Sequence, residues 1–152
     1  MQGKRSPRRT PSEWRGEFKG AVTGLAFSAD GRRLGSSSKD GTARIWDVTD
    51  LQNPKSIFLF KPNAGAINGV AFSPDTDYLA TAHDDGDDAD RHTVRIWRLA
   101  TDDAMSFPQV LSEPAHVLTG HTKSVAQIAF TSDGRFLVSG SDDAQVRVWK
   151  TE

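Results

Sequence analysis

The chain has 152 residues and a mass of 16.6 kDa, with 36% hydrophobic, 9% aromatic and 26% charged residues. That suits one domain with a buried core and is too apolar for a fully disordered chain. Nineteen basic against 20 acidic residues leave a net charge of −1, so no overall field draws the chain to nucleic acid or membrane, and the absence of cysteine excludes disulfides, thiolate metal sites and a cysteine nucleophile.

Residues 1–15 carry Lys4, Arg5, Arg8, Arg9 and Arg15 against Glu13, a local net of +4, together with Pro7 and Pro11. Residues 1–11 are expected to be a disordered basic tail. Without interleaved aromatics, that tail is a weak nucleic-acid signal, and nucleic acid is not an expected partner. No apolar stretch follows the basic start, and the longest run of large apolar residues, 57–60, is too short to cross a bilayer. A cytoplasmic location without membrane contact is the expectation.

Beyond the tail the chain repeats itself. A candidate strand at 13–18 precedes an almost wholly apolar run, Val22–Phe27, then a turn, Ser28-Ala29-Asp30-Gly31. In such a turn Asp bonds its own backbone and Gly takes positive φ. A second run, 33–36, leads to a third in which Ala43 and Ile45 point one way and Arg44 the other, ending at Trp46-Asp47. The pattern then recurs. A strand candidate at 56–60 precedes runs at 67–72 and 78–81, and Val94 and Ile96 alternate with Arg95 before Trp97. It recurs again: a candidate at 115–119, then Val125–Phe130, the turn Thr131-Ser132-Asp133-Gly134, a run at 136–139, and Val146 and Val148 alternating with Arg147 before Trp149. No stretch sustains a 3.6-residue period, so helices should be scarce. Three in-phase units at this spacing are the mark of a repeat architecture. The expected fold is all-β, with three four-stranded antiparallel blades. The domain division is a tail at 1–11 and three repeats over 12–152, at about 12–48, 55–99 and 115–152.

On these residues the chain resembles the WD-repeat β-propeller family over about 140 of its 152 positions. The resemblance rests on Gly120-His121, the Ser-x-Ser-x-Asp run from Ser139 to Asp143, the Asp-to-Trp spacing of six, Trp46-Asp47, and the common five-residue spacing of the first strands. It implies four-stranded blades set radially around a channel. It also implies that His121, Ser139, Asp143 and Trp149 form a buried structural tetrad, in which Asp holds the imidazole, the imidazole meets the hydroxyl and the hydroxyl takes the indole N–H. A His, a Ser and an Asp could be taken for a nucleophilic triad, but nothing marks an exposed nucleophile or an oxyanion pocket. No catalytic residue and no cofactor are therefore expected.

The other repeats depart from this set. The first keeps Ser36, Asp40 and Trp46 but has Phe18 where the third has His121. The second keeps Thr81 and Trp97, has Asn63 in the histidine place, and carries six extra residues near 86–91. Asp85 is its candidate carboxylate, with a longer loop behind it. Only the third blade is expected to be fully stapled. The acidic stretch 84–90 does not match an EF-hand and has no closing glutamate, so it reads as a solvated loop rather than a calcium site. His83 and His92, which flank it, and His116 are not expected to bind metal.

What the family resemblance leaves for function is recognition. It places possible partner contacts beside the first strand and before the tetrad Asp: Thr23 and Lys39, Asn68 and Asp84, Ser124 and Asp142, with Ala21, Ala66 and Ala126 beside them. The expected function is a non-catalytic scaffold that binds a protein or peptide on the propeller rim. The alternative is an enzyme or ligand-binding propeller working at its central channel, which convergent charged groups there would favour. Three blades fall short of the four to eight of closed rings. Either a homo-oligomer completes the ring or the sequence belongs to a longer repeat protein.

Overall fold

A computed structural model describes residues 18–86, 92–99 and 108–151. These residues form twelve strands and no helix. The first sheet contains β1 (Val22–Phe27), β2 (Arg33–Ser38), β3 (Ala43–Asp47) and β4 (Lys55–Phe60), and β5 (Ala66–Phe72), β6 (Tyr78–Asp84) and β7 (Val94–Arg98) begin the second. β8 (Gln109–Leu111) returns to the first sheet, and β9 (His116–Leu118) completes the second. The third contains β10 (Val125–Phe130), β11 (Phe136–Ser141) and β12 (Val146–Lys150). Successive strands pair antiparallel in equivalent register: Leu34 faces Trp46, Leu79 faces Trp97 and Leu137 faces Trp149. The three sheets stand side by side as propeller blades in an arc that does not close.

Among the described residues the strand count departs from four at both ends of the arc. The first sheet has five, because β8 adds parallel to the outer edge of β4, with Phe58, Leu59 and Phe60 opposite Gln109, Val110 and Leu111. The third has three among the described residues, since nothing pairs with the outer edge of β12. The expected strands at 56–60 and 115–119 each become the outer strand of the preceding blade, as β4 and β9. Most of the expected strand at 13–18 lies outside the described residues. Within them only Phe18 can be placed, and it packs on Leu34, Trp46 and Val48.

Apolar side chains packed between blades hold the arc together. Ala43, Ile45, Phe58 and Phe60 of blade 1 pack with Ile67, Val70, Phe72, Leu79 and Trp97 of blade 2, and Phe60 meets the Trp97 ring edge-on at 5.1 Å. Val94 and Ile96 of blade 2 pack with Val125 and Leu137 of blade 3. Each fully buried side chain of this size contributes about 1.5–3 kcal/mol. The inner strands run so close that a Cβ on Gly24 would lie 3.0 Å from the Gly69 Cα, which explains a glycine inside β1.

One turn recurs in all three blades. Ser28, Ser73 and Thr131 donate their hydroxyls to Asp30, Asp75 and Asp133 at 2.7, 2.5 and 2.6 Å. Gly31, Thr76 and Gly134 each donate their backbone N–H to the carbonyl of the residue that opens the turn. The φ values there are 70°, 65° and 73°, so a β-branched side chain in blade 2 occupies a left-handed position that glycine fills in the other two. Thr76→Gly is therefore expected to raise the unfolding free energy by about 1 kcal/mol, measured by urea denaturation, because it removes that strain. A neutral or destabilising result would contradict the assignment.

Candidate functional site

In blade 3 the tetrad residues are joined. The Trp149 indole donates to Ser139 Oγ at 2.8 Å, Ser139 Oγ lies 2.7 Å from His121 Nε2, and His121 Nδ1 lies 2.8 Å from Asp143 Oδ2. His121 and Ser139 are buried. With Ser139 Oγ accepting from the indole, its own proton goes to Nε2 and the imidazole N–H at Nδ1 goes to the carboxylate. Burial would raise the Asp143 pKa, but donation from His121 and from the Thr122 and Gln145 backbones outweighs it and holds the carboxyl well below the usual range. Every polar atom in this line has a partner, and the Ser139 hydroxyl is enclosed with its proton committed.

Blade 1 holds the shorter version. Trp46 Nε1 donates to Ser36 Oγ at 2.9 Å, and Phe18 takes the place of an imidazole beside Trp46. Asp40 accepts the Lys19 backbone N–H at 2.9 Å and both the backbone N–H and hydroxyl of Thr42 at 2.8 and 2.6 Å. Burial opposes ionisation of Asp40, yet these donors leave its pKa lowered.

Blade 2 supplies its imidazole from a place that the repeat spacing does not indicate. Trp97 Nε1 donates to Thr81 Oγ1 at 2.8 Å, and Thr81 Oγ1 lies 2.7 Å from Nε2 of His83, two residues along the same strand. Both are fully buried. Asp85 follows two residues later, with Oδ1 3.8 Å from His83 Nδ1, beyond hydrogen-bond range. Its oxygens instead accept the Gly65 backbone N–H at 2.9 Å and Arg95 Nη2 at 3.1 Å. Burial, reinforced by the Arg95 charge, lowers the His83 pKa from 6.5 to about 3, so the ring is neutral near pH 7. Blade 2 thus joins Trp97, Thr81 and His83, with Thr81 and His83 two apart on one side of β6, while Asp85 just beyond the strand is tied elsewhere. The imidazole of blade 2 is not indicated by the repeat spacing, and its Nδ1 is left without a hydrogen-bond partner, whereas in blade 3 the line runs on to the carboxylate. Asp40, Asp85 and Asp143 also act alike in another respect, since each carboxylate accepts a backbone N–H from the segment ahead of the inner strand, at Lys19, Gly65 and Thr122.

The six rim candidates separate into two groups. Thr23 donates its hydroxyl to the Ile67 carbonyl of the next blade and pairs with Ser37 Oγ at 2.9 Å. Asn68 donates to Ser124 Oγ at 2.8 Å and to the Val125 carbonyl at 3.0 Å. Thr23, Asn68 and Ser124 therefore stitch one blade to the next. Lys39 and Asp142 stand exposed in the β2–β3 and β11–β12 turns, their backbone N–H groups tied to Ala21 and Ser124. Asp84, at the end of β6, is 42% exposed and 3.7 Å from His92 Nδ1. Residues 87–91 of the acidic stretch lie outside the described residues, and among the described residues no three metal-ligating side chains converge.

The groove on the inner side of the blades, about 490 Å³, is lined by residues 23–27, 68–72 and 126–130, and none of these is titratable.

A family model described as WD domain, G-beta repeat matches residues 9–47, 54–98 and 112–150. The chain is 32% identical over 132 residues to "Small ribosomal subunit protein RACK1y" of Oryza sativa subsp. japonica, covering 86% of this chain and 35% of the relative. It is 32% identical over 127 residues to "Eukaryotic translation initiation factor 3 subunit I" of Bombyx mori, covering 84% and 37%. Against "Striatin" of Mus musculus it is 26% identical over 179 residues, covering 93% and 23%. The chain thus spans little more than a third, or less, of the length of these relatives.

Proposed function

The chain belongs to the WD domain, G-beta repeat family, and on that premise we propose that it is a non-catalytic docking module that holds a protein or peptide on the propeller rim. One observation carries this reading. The inner groove, where the alternative of an enzyme or ligand-binding propeller would place its chemistry, is lined by apolar and small neutral side chains with no acid, base or cation among them. The His–Ser–Asp set is sealed inside blade 3, away from any substrate. Two of the relatives are named as parts of larger assemblies, a ribosomal subunit and an initiation factor, which agrees with a module that docks.

In this reading residues 12–152 are three repeats and 1–11 a tail, nucleic acid and membrane are not partners, and the chain works in the cytoplasm. No described helix is long and apolar enough to cross a membrane. Docking falls to Lys39, Asp84 and Asp142, the residues just before the three carboxylates. A homo-oligomer that completes the ring belongs to the same proposal. Affinity capture from host extract, read by mass spectrometry, tests the rim. The Lys39→Glu, Asp142→Arg double variant is expected to keep the wild-type melting temperature and to lose proteins that the wild type retains. An unchanged recovered set would overturn the rim assignment.

A further inference from the structure

Every blade offers two apolar faces. The face towards the following blade is built on the third strand: Ala43 and Ile45 in blade 1, Val94 and Ile96 in blade 2, all buried. The face towards the preceding blade is built on the first strand: Val70 and Phe72 in blade 2, Ile128 and Phe130 in blade 3. Ala43, Ile45, Val70 and Phe72 belong to one core cluster, and Val94, Ile96, Ile128 and Phe130 to the next. The third members of both series are open. Val146 and Val148 on β12 are 73% and 64% exposed, and Leu25 and Phe27 on β1 are 66% and 64% exposed. Phe18 covers the outer part of the blade 1 face, over Leu34, Trp46 and Val48, and leaves Leu25 and Phe27 bare. The outer edge of β12 is also unpaired among the described residues.

The two open faces are the opposite halves of a contact that the chain already makes twice. We propose that a second copy of the chain covers both, with Val146 and Val148 of each copy packed against Leu25 and Phe27 of the other. The proposal rests on the ring-module reading and gives it a partner. A head-to-tail contact of this kind closes once two copies have formed two equivalent seams, which makes six blades, within the range of complete propellers. The seam differs from the internal ones on its inner side. Ala126 stands where Thr23 and Asn68 reach into the next blade, and exposed Gln127 where Gly24 and Gly69 allow close approach. It therefore lacks the polar stitch, relies on apolar packing, and gives an association that depends on concentration.

Sedimentation velocity over a wide concentration range tests this. The wild-type chain is expected to shift to a species of twice its 16.6 kDa mass as concentration rises. Val148→Lys and Phe27→Asp, both at open positions and so compatible with folding, are each expected to raise the dimer dissociation constant by roughly a hundredfold or more, the cost of an unpaired charge in a dry seam. Combining both substitutions in one chain is expected to recover most of that loss, because the two charges then face each other across each seam. Val146→Lys is the parallel variant if Val148→Lys melts early. A wild-type monomer at every concentration would overturn the proposal. So would a dimer indifferent to the single variants, or single variants that the combination does not rescue. Lys39→Glu and Asp142→Arg, which probe docking on the rim, should leave the dimer intact, so rim docking and the seam can fail separately.

Discussion

Thr81→Val is expected to lower the unfolding free energy by about 3 kcal/mol at pH 7. Valine has nearly the shape of threonine, so the fit beside Trp97 and His83 is kept and only the hydroxyl is lost. That hydroxyl accepts the Trp97 indole N–H and meets His83 Nε2, and both rings are buried beyond the reach of water. Two polar groups would then be left without partners, at about 1–3 kcal/mol each. Thr81→Ser keeps the oxygen and should cost about 1 kcal/mol, the share of the lost methyl. Ser36→Ala in blade 1 removes a hydroxyl that bonds the Trp46 indole, with Phe18 there in place of an imidazole, and should fall between the two. Urea denaturation of the three variants gives the ranking. If Thr81→Val were no worse than Ser36→Ala, the imidazole of blade 2 would not belong to the network.

Acid should unfold the protein earlier than its carboxylates alone would require. The folded pKa of His83 is lowered to about 3, while the unfolded chain takes up a proton at its ordinary 6.5. Below pH 6.5 the unfolded state therefore binds the proton that the folded state refuses. Stability is full above 6.5 and falls by up to about 1.4 kcal/mol per pH unit until about pH 3. Asp143 acts in the same direction further down. Its folded pKa is depressed, so its contribution is present above the ordinary carboxylate range and disappears as pH drops through it. His83→Gln removes the first effect and keeps a neutral acceptor for Thr81. Its unfolding free energy should be flatter than that of the wild type between pH 6.5 and the carboxylate range, whatever its absolute value. Parallel slopes would show that the ring is free to take up a proton in the folded state.

The strands that carry the blades were legible because alternation, turn chemistry and three in-phase tryptophans all pointed to one architecture. β8 was not. Gln109, Val110 and Leu111 make a three-residue strand whose partner, β4, lies about fifty residues earlier and runs parallel to it, and no local pattern encodes such a pairing. His83 was hidden for another reason. Counting four back from the start of each first strand, as from Val125 to His121, leads to Phe18 and Asn63, whereas the signal lay in the two-residue period that puts Thr81 and His83 on one side of β6. Thr23 and Asn68 read as small rim residues because sequence spacing gives their place along the inner strand but not the carbonyl of the next blade within their reach.

The path of the chain through β8 has a consequence for how the molecule comes apart. The backbone leaves the second sheet after β7, contributes β8 to the first, and returns to finish the second with β9. Two bonds secure the return from β8 to β9, Lys61 N–H to the Leu111 carbonyl and Ala115 N–H to the Ile96 carbonyl, both at 2.8 Å. Peeling β9 from its sheet drags on β8, and freeing β8 bares the edge of β4. The first two sheets are thus interlaced into a single cooperative foldon, while the third, with no such crossing thread among the described residues, is expected to fray first under thermal or mechanical load.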